Sequence, residues 1–391
     1  MTADLGVSGM RVRAEEFGKF VSRASQFVSN TASIPEFRRT VLWVEGGRVN
    51  AGSTNLEQTI RVTFGGTVEG LEMLGLEEPQ CFDPKEFVNA LALFPQMVNL
   101  NWDKARNSLH FTDGSRKASV PAMADVGHPA INIVNTNLTQ FFDCPAKNFG
   151  PALKSAMSAA SMDGTRPILT GICIEVIGDK LSFVTTDTHR LLKCSIKDAT
   201  GYMPKQIIIP APAALVLTKL CPDDGVISCA YDGNGTVNRI VFFLGGDIIE
   251  SRVIDGTFPR IERVIPSTDG DQVEIQVPTS DFAATLRRIR PLMANAQMKD
   301  RIILSFTPEG NFFTFKDLVE VTAPIDCLDV KLDKGVFEAA MNITYLIEIA
   351  GACPSEKMTL FSHGDVLQAM RIESQTEFGF VVGVVMPMQV W

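Results

Sequence analysis

FGKFVSRASQFVS (residues 17–29) is the stretch on which the architecture turns. Its apolar residues Phe17, Phe20, Val21, Ala24, Phe27 and Val28 recur at helical spacing. The same reading returns as FGPALKSAMSAAS from Phe149 and as FAATLRRIRPLMA from Phe282, so the leading phenylalanines stand 132 and 133 residues apart. Each helical stretch is followed by two apolar runs around a glycine turn. Those glycines, Gly46, Gly178 and Gly310, are 132 residues apart in both intervals. A period this long exceeds the roughly 20–50 residues of solenoid repeats, so each copy must carry its own core. The sequence therefore predicts three tandem, similar α+β domains over 1–134, 135–266 and 267–391. The breaks fall in the polar stretches around Asn135-Thr136-Asn137 and Pro266-Ser267-Thr268-Asp269-Gly270.

Each repeat has the same grammar. In the first, VLWVEGGRVNAGS reads as strand, Gly46-Gly47 turn and strand, and QTIRVTF as a further strand. CFDPKEFVNALALF reads as a short strand entering a second helix, with Asp83 as N-cap and Pro84 in the first turn. In the second, KQIIIPAPAALVLTKL is strand then helix, and Asp232-Gly233-Asn234-Gly235 is a hairpin turn. In the third, FEAAMNITYLIEIAG reads as the second helix, and MTLFSHGDVLQAMRI and FGFVVGVVMPM as strands. Each unit is then two helices and a sheet.

Bulk properties narrow the class. A 391-residue chain that is 45% hydrophobic accommodates three cores. It has no apolar run of about 18 residues to span a membrane. The opening MTADLGVSGM lacks a basic region followed by an apolar one, so a cytoplasmic protein without a secretory signal is expected. Eight scattered cysteines without a CxxC pair point to buried reduced thiols rather than zinc or redox chemistry, and no cofactor is expected. The net charge of −9 opposes a nucleic-acid partner on average. A local basic surface can nonetheless coexist with an acidic exterior.

Three segments carry a family resemblance. Thr186-Asp187-Thr188-His189-Arg190-Leu191 lies in the middle repeat, Ile254-Asp255-Gly256-Thr257-Phe258-Pro259-Arg260-Ile261-Glu262-Arg263-Val264-Ile265-Pro266 closes it, and Val384-Val385-Met386-Pro387-Met388 stands near the end. With the triplication, these resemble the bacterial DNA polymerase sliding clamp, the β subunit of the replicative polymerase. That family carries TDGHRL, DGxFPxYxRVxP and VMPMR at these relative places. Asn55-Leu56-Glu57 and Asn342-Ile343-Thr344-Tyr345 also fall where similar family segments sit. The resemblance runs from about Met10 to the last residue. It implies a DNA clamp fold and a head-to-tail dimeric ring of six domains, with helices lining a central channel and sheets outside. It further implies a homodimer that encircles duplex DNA without reading sequence, is opened by a clamp-loader ATPase, and tethers the replicative polymerase and other replication or repair proteins.

The resemblance also implies sites. A groove for partners' linear motifs, between the second and third domains, maps to Leu169, Thr186, His189, Arg190, Leu191, Pro259, Arg263, Val264, Asn342, Tyr345, Val384, Val385, Met386, Pro387 and Met388. Such a site combines an adaptable apolar floor with a few directional polar groups. The channel maps to Lys19, Arg23, Lys85, Lys147, Lys154, Lys219, Arg287, Arg288 and Arg290, interspersed with acids such as Glu15, Glu16, Glu86, Glu338 and Glu348. The dimer contact maps to Ala118 and Val120 on one side and Leu292 and Met293 on the other.

The chain departs from the family pattern in places. Thr188 replaces the glycine of TDG, Gln389-Val390-Trp391 replaces a basic–aliphatic ending, and Pro210-Ala211-Pro212 and Thr31 fall where basic residues are usual. The dimer side chains are smaller than usual, so a weaker ring, or compensation by charge, is expected. These departures keep open a clamp-like decoy or regulator that binds partner peptides but does not load on DNA. An enzyme is the other alternative, with Asp187, His189 and Arg190 as an acid–base set. Against it, Asp187 and His189 lie two apart without an oriented nucleophile, Ser182 has no triad context, and no phosphate-cradling loop is present.

Overall fold

The computed structural model describes residues 9–125, 127–133, 137–232, 237–269, 273–295, 297, 300–317, 319–332, 335–363 and 368–388. The expected turn at Gly233-Asn234-Gly235 and the ending Gln389-Val390-Trp391 lie outside these residues, as do Asn135, Thr136 and Gly270 at the expected domain breaks. The chain forms two compact units. Unit 1 comprises residues 1–139 and 228–252, and unit 2 comprises 140–227 and 253–391.

Unit 1 holds helices α1 (Ala14–Ala24) and α2 (Pro84–Ala92), which pack on each other. The expected cap forms: the Asp83 side chain accepts from the backbone N–H groups of Lys85 and Glu86, with Pro84 at the first helical position. Helix α1 is shorter than the apolar spacing predicts. Its last carbonyl, on Ala24, accepts from Ser53 Oγ at 2.6 Å, and the Phe27 N–H donates to the same hydroxyl at 3.1 Å. A sheet residue thus intercepts the groups that would continue the helix, while Phe27 stays buried. An antiparallel sheet backs the helices. It runs in the order Met10–Arg13, Met97–Asp103, Ser108–Thr112, Lys117–Ala124, Gln80–Phe82, Thr40–Glu45, Arg48–Thr54, Gln58–Thr63, Asp247–Arg252, Arg239–Leu244.

Unit 2 holds α3 (Ala146–Met157), α4 (Ala211–Leu220), α5 (Thr279–Ile289) and α6 (Ile343–Ala352). Helix α3 pairs with α4, and α5 with α6. One nine-stranded sheet runs Lys205–Pro210, Gly171–Ile177, Lys180–Thr186, Arg190–Ile196, Gly379–Val385, Met370–Thr376, Lys357–Ser362, Val273–Pro278, Asp329–Lys331. A four-stranded sheet runs Glu320–Pro324, Gly310–Lys316, Arg301–Thr307, Phe337–Asn342. The stretch 337–351, read from sequence as one helix, is corrected here. Phe337–Asn342 pairs with Arg301–Thr307, and the helix starts only where Asn342 Oδ1 accepts from Thr344 N and Tyr345 N.

The repeat is legible in the cores. Phe17, Phe149 and Phe282 are all buried, and each meets a second phenylalanine edge-on: Phe64, just past the strand Gln58–Thr63, at 5.0 Å, and the strand residues Phe183 at 5.4 Å and Phe313 at 5.1 Å. Each such ring contributes roughly 1.5–3 kcal/mol by burial. The turn glycines Gly46, Gly47 and Gly178 adopt φ of +58°, +72° and +63°, where a side chain is disfavoured. Six of the eight cysteines are buried, and burial pushes the thiols of Cys81, Cys144 and Cys353 up to about 12. Among the described residues no helix is long and apolar enough to cross a membrane.

Candidate functional site: a peptide groove and cationic helix faces

The strand pair at the centre of the unit 2 sheet builds the first site. Arg190–Ile196 pairs antiparallel with Gly379–Val385, setting Leu191 opposite Val384 and Arg190 opposite Val385. Strand alternation divides the side chains between two faces. Gly383 faces α6, since a Cβ there would meet Ile349 at 2.7 Å. Val385 shares its side and is fully buried. Val384 points to the opposite face, into a cluster with Leu169, Cys173, Val184, Leu191 and Ile208, roofed by Phe258 and Ile261 from the segment after residue 253. That segment is held by Ile254 N–H donating to Ile208 O at 2.8 Å. The sheet register continues past the last strand with Met386 N–H donating to His189 O at 2.9 Å, and Met388 N–H then donates to Ala340 O in the four-stranded sheet at 2.8 Å.

The result is a buried aliphatic cluster, while Pro259, Arg263, Val264 and Met386 of the flanking segments are exposed and Pro387 and Met388 half-buried. Exposed thioether and aliphatic groups of this kind can repack around different apolar anchors.

The strand that carries Leu191 begins in a locked turn. Asp187 Oδ1 accepts from His189 N at 2.9 Å and Arg190 N at 3.0 Å, and Thr186 Oγ1 donates to Arg190 O at 2.7 Å. Thr188 sits at φ +80°, the left-handed region that a β-branched residue rarely adopts. The Arg190 side chain is almost wholly buried. Its Nε donates to Asp187 Oδ2 at 3.0 Å, its Nη1 binds Glu348 of α6, and its guanidinium carbon lies 4.5 Å from the Tyr345 ring centre. His189 stacks on the other end of this array, 6.4 Å from Tyr345. Burial, and then the neighbouring Asp187 charge, raise the Tyr345 pKa.

Arg190 and Asn342 are therefore committed to the frame, one to two carboxylates and the other to the α6 cap. Exposed His189 and Arg263 are left as directional groups at the rim. Sequence reading missed Glu348 as a partner of Arg190, and Phe258 and Ile261 as the roof. Only their place in the DGTFPRI segment and on the Tyr345 face of α6 hinted at them. Asp187 and Ser182 do not form acid–base machinery. Asp187 is spent on its own turn, and Ser182 Oγ lies 3.1 Å from Ser195 Oγ.

The candidate channel cations are exposed on the outward faces of the helices: Lys19 and Arg23 on α1, Lys85 on α2, Lys147 and Lys154 on α3, Lys219 on α4, and Arg287 and Arg288 on α5, with Arg290 just beyond. Lys19 bonds to Glu15 at 2.6 Å, and Arg23 binds Asp247.

A model of the DNA polymerase III β subunit central domain matches residues 144–260, which contain the locked turn and part of the floor. A β sliding clamp from Synechococcus elongatus is 23% identical over 345 residues, covering 86% of this chain and 88% of that protein. The crystal structure of the DNA polymerase β subunit of Streptococcus pyogenes superposes with a TM-score of 0.84 at 18% identity, over 97% of this chain and 100% of that one. A Pseudomonas aeruginosa DnaN sliding clamp bound to griselimycin matches with a TM-score of 0.79 at 19% identity, over 98% of this chain and 100% of that one. Residues 144–260 match the central domain of the DNA polymerase III β subunit, and most of the chain resembles β sliding clamps. The resemblance is a divergent one, and the α+β architecture is the DNA clamp fold.

Against the family's pattern, the four residues mapped to a dimer contact are unequal. Leu292 is 52% exposed and Ala118 half-buried, but Val120 and Met293 are only 2% and 0% exposed within their own chain.

Proposed function

We propose that the chain is a non-catalytic DNA sliding clamp. Three tandem domains, 1–134, 135–266 and 267–391, close head to tail with a second copy into a ring around duplex DNA. The apolar groove at Leu191 and Val384 takes short linear motifs from the replicative polymerase, the clamp loader and repair proteins, one partner at a time. The ring is opened by a separate ATPase and works in the cytoplasm.

The observation that carries this reading is the composition of the helix faces. Cations project from all three helix pairs, mostly on long flexible lysine and arginine stems. Such an array attracts phosphates without fixing a register on base edges, as sliding demands. The motif groove then supplies tethering, raising a partner's local concentration at the DNA.

The test is topological. The purified protein is diluted to separate subunits, mixed with a nicked circular plasmid, and concentrated to reassemble. After gel filtration in high salt, it is expected to co-elute with the circle and to be lost when the plasmid is linearised. Equal loss from circular and linear DNA would remove encirclement and favour a peptide-binding decoy.

A further inference from the structure

The helix-face cations divide into two populations. In unit 1, Lys19 is neutralised by Glu15, and Arg23 is spent on Asp247, whose side chain is 6% exposed, leaving Lys85. In unit 2, Lys147, Lys154, Lys219, Arg287, Arg288 and Arg290 form no ion pair with any carboxylate among the described residues.

Three of the second population converge on a cleft of about 830 Å³ where α3, α5 and α6 meet the end of α4. Lys147 and Lys154 line one wall. They are seven residues apart, so they sit on one face of α3, separated by roughly 10 Å along its axis. Arg287 enters from α5. Its Nη2 lies 3.8 Å from where a Cβ at Gly351 of α6 would stand, so the guanidinium passes in contact distance over the α6 backbone. The acids at the cleft are Glu348 and Asp223. Glu348 is engaged by Arg190, so one exposed carboxylate faces three free cations. Lys219 borders an adjoining hollow that shares Lys154.

We propose that this cleft is the principal seat of the DNA backbone, where Lys147, Lys154 and Arg287 hold neighbouring phosphates of one strand while the α1 face contributes little. The assignment rests on the clamp reading and deepens it: the duplex leans on unit 2 instead of being cushioned evenly.

The slope of log affinity against log salt on a short duplex counts the phosphates neutralised, at about 0.9 per contact. Fluorescence anisotropy is read for the wild-type chain, for Lys147→Gln/Lys154→Gln/Arg287→Gln, and for Glu15→Gln/Lys19→Gln. All five positions are exposed, so unchanged thermal melts are the folding control. The triple variant is expected to flatten the slope by about 2.7, and the charge-neutral double variant to leave it unaltered. An unchanged slope in the triple variant, or an equal loss in the double, overturns the cleft, as does the absence of duplex binding by the wild type at low salt. If the slopes behave as expected but the protein is not retained on circular DNA, the ring reading falls and the cleft stands as a duplex-binding site.

Discussion

Thr188 shows how one residue records the divergence of this chain. The turn that positions His189 and Arg190 needs a left-handed residue, and the side-chain and backbone bonds of Thr186 and Asp187 hold Thr188 there at φ +80°. A β-branched residue in that region costs about 1–2 kcal/mol. Glycine removes the strain but returns about 0.5–1 kcal/mol of chain entropy. Thr188→Gly is thus expected to stabilise unit 2 by up to about 1 kcal/mol, read as a higher urea midpoint at constant slope. A lower midpoint would mean that the threonine side chain makes a contribution larger than its strain. The motif around this residue was legible in the sequence, and with it Leu191 and Val384, which the structure buries in one apolar cluster. The role of Arg190 was not, because its partner Glu348 is 158 positions away and only the fold brings α6 beside the turn.

Elements succeed or fail by where their ends find partners. His128 starts the 3₁₀ turn Pro129–Asn132 in unit 1: its Nδ1 accepts from Ala130 N at 3.2 Å, and its ring stands edge-on to Phe37. The imidazole is 2% exposed, and burial lowers its pKa to about 4, against the opposing pull of Asp125 and Glu36. The unfolded chain, near 6.5, binds the proton first. Stability is therefore complete above about pH 6.5 and declines as pH falls towards 4, by an amount of the order of 3 kcal/mol. His128→Asn keeps a capping acceptor and removes the titration, so urea unfolding of this variant should vary less between pH 4.5 and 7 than that of wild type. An identical pH dependence would assign the decline to other groups. The same logic explains which element limits were readable. Asp83-Pro84 announced α2 because cap and first turn are adjacent in sequence. The end of α1 depends on Ser53 and the start of α6 on the pairing of residues 337–342, and neither partner is local. Helix-forming Glu338, Ala339, Ala340 and Met341 also disguised that strand, since pairing overrides propensity.

At the scale of the whole molecule, the threefold repeat was plain in the sequence because equivalent cores need equivalent aromatic residues at equal spacing. The division into two spatial units was not, since it follows from strands of different repeats sharing sheets, as Gln58–Thr63 does with Asp247–Arg252 and Arg190–Ile196 with Gly379–Val385. Closure of the proposed ring depends on surfaces that the fold has partly consumed. With Val120 and Met293 inside their own chain, Leu292 is the one large apolar group left exposed among the four mapped contact residues. The nearest charges in sequence are cations, Lys117 before Ala118 and Arg288 and Arg290 before Leu292, so they would add repulsion if they face one another in the pairing. Stable dimers bury about 1,200–2,000 Å² with a packed apolar centre, and this pairing offers a thin one. We therefore expect sedimentation to show a dimer that dissociates on dilution through the micromolar range and tightens as salt screens the cations. Leu292→Ala should weaken it about tenfold, the equivalent of roughly 1.4 kcal/mol. A dimer that survives to nanomolar concentration and ignores Leu292→Ala would place the closing contact elsewhere on the chain. A monomer at every concentration, with motif peptides still bound at the groove, would leave the groove intact and the ring without its closure.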